Sequence, residues 1–205
     1  MSADLMVPTG LVPYTVAWSG EGHLPMPVIA GRTGIGYADE TVIDRDSQGV
    51  LWTRRRSCPR VGRPRFGQEH PVRQRAAMRK LLCQVCGGPA DQNDEGVLWL
   101  LRDHREDWPG WPEGMANTNP PVCVPCARVS VRLCPALRRG YVAVRTHSVV
   151  SGVFGVTYRA AGRFGAVEIV GKGNVAYGEP AIRWTRAVKL IRVLHGSHFV
   201  ELDGV

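Results

Sequence analysis

Two Cys-x-x-Cys pairs, Cys83/Cys86 and Cys123/Cys126, carry the clearest chemistry in the chain. A pair at this spacing turns two thiolates toward one point, and two such pairs supply the four sulfurs that a tetrahedral metal ion takes. The first pair runs into Gly87-Gly88, where glycine lets the backbone turn amide N–H groups toward the sulfurs. Structural zinc is the expected occupant; an iron–sulfur cluster is the other use of four cysteine thiolates. Cys58 and Cys134 are left over. Cys134 falls eight residues after Cys126, two turns along an expected helix and too far to reach the same ion. Both spare cysteines read as small buried side chains, with a second metal site as the alternative.

A second candidate group lies between the cysteine pairs. Asp103-His104 is followed by Asn117 and Asn119. The same Asp-His pair also sits inside a charged run, Arg102 to Asp107, which reads equally as a solvated turn.

The third group is basic. Arg54, Arg55, Arg56, Arg60, Arg63 and Arg65 crowd a stretch interrupted by proline and glycine, which predicts an extended loop. Guanidinium forks match phosphate oxygens, so the loop is a candidate nucleic-acid surface. Pairing with acids of the same chain, Asp91 to Asp107, is the competing account. Gly31-Arg32-Thr33-Gly34-Ile35-Gly36 is glycine-rich but lacks the Lys-Ser/Thr ending and the strand–helix setting of a nucleotide P-loop.

The elements that would position these groups can be traced by pattern. The Val12–Trp18 stretch starts a strand, and Asp44 to Gly49 is a turn leading into Val50-Leu51-Trp52. Pro71 suits a first helical position, which predicts a short helix to Leu82 that delivers the chain to Cys83. Gly96 to Leu101 predicts a buried strand, and a helix is expected from Cys126 to Leu137. Trp108 and Trp111 mark a proline-rich loop, as core anchors or as platforms for bases. Beyond Gly140, Ser151–Tyr158 and Phe164–Val170 predict a hairpin turning at Ala160 to Arg163. A helix is expected over 181–195, because Trp184, Ala187, Val188, Ile191 and Leu194 recur at helical spacing. Arg183, Arg186, Lys189 and Arg192 would line a basic stripe on it, and Phe199 to Leu202 would close as a strand.

Knuckle, strand, then helix opening on the second cysteine pair resembles the treble-clef zinc finger over roughly residues 80–140. HNH endonucleases carry such a finger with an Asp-His pair and an Asn between the cysteine pairs. That resemblance would make His104 the general base, Asp103 a metal ligand and Asn119 the residue that orients the water. The chain departs from it after the last cysteine, where Ala127-Arg128-Val129-Ser130 offers no further ligand.

The expected architecture is α+β, a treble-clef finger embedded in a mixed domain and followed by a small hairpin–helix–strand unit. Its segments are 1–80 with the arginine loop, 81–140 around the metal, and 141–205. The 205 residues are 44% hydrophobic, enough for a real core. The start of the chain has no basic leader and no apolar run approaches a membrane span. With cysteines in metal-type pairs rather than a disulfide framework, a cytoplasmic protein with no membrane partner is expected. The net charge of +8 favours a polyanion, DNA or RNA, with a protein partner as the alternative. Only Lys80, Lys172 and Lys189 are lysines, an arginine bias in keeping with a GC-rich bacterial genome or a phage or other mobile element. The leading function is therefore a zinc-stabilised binding protein contacting nucleic acid or a nucleic-acid-associated machine; a metal-dependent nuclease and an accessory protein-interaction module stand beside it.

Overall fold

The computed structural model describes residues 12–162 and 165–202, so residues 1–11, the hairpin positions Arg163 and Phe164, and residues 203–205 lie outside the described residues. Among the described residues the elements run β1 (Val16–Trp18), β2 (Val28–Ala30), β3 (Ile35–Tyr37), β4 (Leu51–Trp52), β5 (Pro64–Glu69), α1 (Pro71–Lys80), β6 (Gln92–Asn93), β7 (Gly96–Arg102), β8 (Ala116–Asn117), α2 (Val124–Leu133), β9 (Tyr141–Ala160), β10 (Val167–Ala176) and β11 (Thr185–Val200). The mixed α and β content agrees with the sequence.

One sheet of seven strands organises the molecule, in the order β4-β11-β9-β7-β6, with β10 also on β9 and β8 also on β11. β9 is its spine. Its first residues pair with β7, from Tyr141↔Arg102 to Thr146↔Val97, and its later ones with β10, from Gly152↔Ala176 to Ala160↔Val167. β11 runs antiparallel along the opposite edge of β9, and β4 joins β11 in parallel. Segments 1–80, 81–140 and 141–205 thus all contribute strands to the same sheet.

β7 is buried on both faces, and its period of two sorts two clusters. Val97, Trp99 and Leu101 point into the larger one with Met78, Val144, Leu190 and Leu194. Leu98 and Leu100 point the other way, onto Val85, Val122, Ala127 and Cys83. The cysteine site therefore rests directly on the back of the central sheet.

The helix expected over 181–195 is absent. A 3-10 turn, Pro180–Trp184, leads into the sixteen-residue strand β11. The register of β11 on β9 slips between Ala187 and Lys189, where one residue is extra. Such a bulge carries the inward face from one alternation to the next. Ala187, Leu190 and Leu194 then all enter the larger cluster, spaced by three and four. A bulged strand has imitated the helical pattern. The expected basic stripe dissolves with it: Arg186 lies over the Tyr158 ring at 5.6 Å, Lys189 pairs with Glu69, and the Arg192 guanidinium bonds the Met78 and Ser148 carbonyls.

α1 begins at Pro71, whose fixed φ suits a first helical residue, and ends at Leu81 in the left-handed region with φ 52°. It packs on β11 between the positions taken by β4 and β8. There the Gln74 side chain completes the ladder, receiving the Leu190 N–H at 2.9 Å and donating to the Leu190 and Thr118 carbonyls at 3.0 and 2.7 Å. Gln74→Leu is expected to cost about 1–3 kcal/mol, because both Leu190 backbone groups would lose their partner in the core. Urea unfolding would check this, and an unchanged midpoint would refute it.

β1 and β5 form a separate two-stranded ribbon. It is pinned to α1 by a fully buried carboxylate. Glu21 accepts from Arg73 Nη1 and Nη2 at 2.6 and 2.7 Å, from the Trp18 N–H at 2.8 Å and from the Cys58 N–H at 3.1 Å. His70, also fully buried, lies 3.9 Å from the same carboxylate and 3.1 Å from the Arg56 carbonyl.

Candidate metal centre

The Sγ atoms of Cys83, Cys86, Cys123 and Cys126 all lie within 4.8 Å of one another, and among the described residues this is the cluster able to hold a metal ion. Cys86 and Cys123 Sγ are 3.9 Å apart. A tetrahedral zinc with sulfur ligands at about 2.3 Å needs sulfurs about 3.8 Å apart, so the donors fit one such ion. An iron–sulfur cluster would spread its ligands wider than a single ion does.

Local sequence explains the geometry. After α1 the chain makes a knuckle in which the Cys83 N–H donates to the Gly88 carbonyl at 2.7 Å and the Gly87 N–H returns to the Cys83 carbonyl at 2.9 Å. Gly87 has φ +76°, and a Cβ there would meet the Tyr14 ring at 2.9 Å. The Val85 N–H points at Cys83 Sγ, 3.4 Å away. The β6–β7 hairpin follows, and Val122 bonds Leu98 in β7, which brings the second pair back to the first. Cys123 caps α2 and Cys126 sits in its first turn, with Pro125 between them. A helix N-terminus favours thiolate there. The helix is shorter than expected: Pro135 withholds an N–H, and the chain goes over to a 3-10 turn at Pro135–Leu137.

Without a cation the site disfavours thiolates at Cys123 and Cys126. Burial pushes the Cys123 thiol up to about 11 and Cys126 higher still, with the neighbouring Cys83 charge adding to both. For Cys83 burial acts in the same direction, but the N–H groups of Cys86, Cys123 and Val85 outweigh it and lower its value. Four thiolates so close repel one another unless a cation shares them. Zinc there would draw the thiolates together and tie α2 to the knuckle.

Cys58 and Cys134 stay outside the cluster; Cys58 holds Glu21 through its N–H, and Cys134 caps the end of α2. The segment before β1 was missed in the sequence. The Tyr14 and Thr15 N–H groups bond the Val85 and Gln84 carbonyls, bracing the knuckle from a distance of about seventy positions, with no spacing signal to reveal it.

The Asp103, His104 and Asn119 set is not brought together. Asp103 is tied by both oxygens to the Arg105 guanidinium, which holds its carboxyl below the usual range, and His104 faces Asp107 at 3.4 Å in the exposed turn after β7. His104 meets the edge of Trp111, which stacks on Phe199, whereas Asn119 bonds Asn117, which pairs with Arg192. Phe199 and Arg192 are seven positions apart on one strand, a rise of roughly 20 Å.

The arginine stretch divides. Arg54 is engaged within the protein: it bonds the buried Asp44 at 2.6 and 2.7 Å and Asp39 at 2.8 Å, and lies 4.3 Å over the Tyr37 ring. Its bond holds the Asp44 carboxyl far below the usual range. The acids are therefore Asp39 and Asp44, not those between Asp91 and Asp107. Arg55 is half-buried, with Nε on the Glu21 carbonyl at 2.8 Å; burial, then the nearby Arg65 charge, lowers its basicity. Arg56, Arg60, Arg63 and Arg65 are exposed and have no carboxylate partner among the described residues. No helix among the described residues is long and apolar enough to cross a membrane.

Comparison with protein-family models, with curated proteins and with solved structures finds no match to the chain.

Proposed function

We propose that the chain is a zinc-stabilised nucleic-acid-binding protein, with zinc on the four cysteines as a structural staple. The order of knuckle, β6–β7 hairpin and α2 supports reading the metal module as a treble clef. The observation that carries the binding reading is the exposed arginine group Arg56, Arg60, Arg63 and Arg65, set on the loop before β5 and on its start with no carboxylate partner among the described residues. Like charges gathered on one loop repel, and a phosphate backbone relieves the repulsion. Phe66, 65% exposed beside Arg65, offers an apolar face for a base.

The test is binding of a fluorescent duplex and a single strand across a salt series. For duplex, log affinity should fall with log salt by about 0.9 per phosphate contact, and Arg60→Ala/Arg63→Ala/Arg65→Ala should make the slope shallower by roughly 2 to 3 units. These side chains are exposed, so the triple variant should melt like the parent. Arg54→Ala should do the reverse, keeping the slope and lowering the melting temperature, because it strands buried Asp44. A parent protein with no salt-sensitive binding would overturn the proposal and leave an accessory protein-interaction module as the better account.

A further inference from the structure

The glycine-rich stretch set aside as a P-loop forms one wall of a polar cavity. The loop between β2 and β3, residues 31–34, meets the turn after Arg45 and the 3-10 turn that carries Arg183, lining a half-open pocket of about 390 Å3. Arg32, Thr33, Arg45, Gln48 and Arg183 are among the residues that line it, and among the described residues no carboxylate does.

The walls are built, not incidental. Arg45 is fully engaged: it donates to the Ile35 and Gly49 carbonyls at 2.8 and 2.7 Å and to both oxygens of Glu40 at 2.6 and 2.8 Å. It fixes the back of the cavity and its charge is balanced. Gly34 lies so close to the 3-10 turn that a Cβ would stand 2.3 Å from the Arg183 carbonyl oxygen. Only glycine lets the loop and the turn meet there. Arg32 and Arg183 are both exposed and have no carboxylate partner among the described residues. The N–H groups of Arg32, Thr33 and Gly34 likewise have no backbone acceptor among them.

We propose that this cavity binds a phosphomonoester. Two unbalanced guanidinium groups suit a dianion better than a single carboxylate, since each can fork two phosphate oxygens. The Thr33 hydroxyl, the Gln48 amide and the free loop N–H groups supply further donors of the kind that line anion-binding nests. The volume leaves room for the group that bears the phosphate, with Ile29 at the rim as its apolar contact. The loop joins two strands, so no helix N-terminus takes part. The bearer is either a small molecule or the terminal phosphate of a polynucleotide.

Calorimetric titration of the full chain decides between binding and no binding. Inorganic phosphate and AMP should each saturate one site, and adenosine, which lacks the phosphate, should not bind. Arg32→Ala/Arg183→Ala should weaken both ligands by at least about tenfold, the loss expected for removing charge-assisted hydrogen bonds. Circular dichroism and metal content of that variant should match the parent, since both side chains are exposed. A 5′-phosphorylated dinucleotide that binds more tightly than AMP identifies a polynucleotide end; equal or weaker binding identifies a small phosphorylated molecule. Arg60→Ala/Arg63→Ala/Arg65→Ala should leave AMP binding unchanged, so this site and the nucleic-acid surface stand or fall separately. No saturable binding of phosphate or AMP, or full affinity in the Arg32/Arg183 variant, overturns the proposal.

Discussion

Replacing any one of Cys83, Cys86, Cys123 or Cys126 with serine is expected to leave the protein unfolded or aggregated. The four sulfurs lie within 4.8 Å of one another on the back of β7, against Leu98, Leu100, Val122 and Ala127. Structural zinc contributes on the order of 10 kcal/mol or more at neutral pH, while a domain's whole stability is about 5–15 kcal/mol. Losing the ion thus removes most of the margin. Cys86 is exposed, so a chelator has a route to the ion, and chelation should lower the melting temperature of the parent. The raised Cys123 and Cys126 thiols must give up their protons to ligate, so affinity should fall as pH falls. Cys58→Ser and Cys134→Ser should keep one zinc per chain. Metal analysis that finds no ion in folded protein, or a folded Cys83→Ser variant that melts like the parent, would sink the assignment.

Disrupting the Glu21–Arg73 pair is the next largest effect. Burial by itself would raise the Glu21 carboxyl, but the Arg73 hydrogen bonds, the Trp18 N–H and the neighbouring positive charge prevail and hold it at about 2. Glu21→Leu should cost about 3–5 kcal/mol, because Arg73 would remain in the interior without a counter-charge. Arg73→Met should cost a similar amount by stranding the carboxylate. The double variant should lose clearly less than the sum, since neither charge is then left alone. Costs that simply add would show that the two side chains act independently. The same pair sets an acid limit. An ordinary carboxyl value near 4.5 lowered to about 2 in the folded state gives stability present above about pH 4.5 and lost as pH falls toward 2. By linkage the pair is worth about 3 kcal/mol at neutral pH. His70 acts with the same sign from higher pH: burial, aided by the Arg73 charge, lowers its value, so below about pH 6.5 the unfolded chain takes up a proton that the folded one refuses. Stability should decline in two steps on acidification, and Glu21→Leu should remove the lower one.

What the sequence revealed and what it hid divide along a physical line. The cysteine pairs were legible because ligand spacing is local, as were β7, from its unbroken apolar run, and α1, from Pro71 at its first position. The hairpin partners β9 and β10 were also visible, though both run longer than the patterns that marked them. β11 was hidden because a bulge at Ala187/Lys189 converts alternation into steps of three and four, which a single sequence cannot tell from a helix. Charge partners were hidden for another reason. Arg54 finds Asp44 ten positions back, and Arg73 finds Glu21 fifty-two positions back, across turns whose geometry no spacing rule records. Hence Arg54 read as a free phosphate ligand when it is committed to the fold.

The placement of β11 constrains the order in which the chain can assemble during synthesis. The cysteine pairs close over at most 43 positions, from Cys83 to Cys126, whereas β4 meets its neighbour across 135, from Leu51 to Arg186. Loop-closure entropy grows with separation, so the four-cysteine cluster can form while later strands are still being made. β4, β8 and the Gln74 side chain of α1 all lean on β11, and none has its β11 partner until that strand leaves the ribosome. A nascent chain stopped before residue 185 would hold a closed metal module beside an open sheet edge, the form most exposed to pairing with another chain. A metal ion on the four cysteines would thus hold residues 83–126 together through the interval in which the rest of the core must wait.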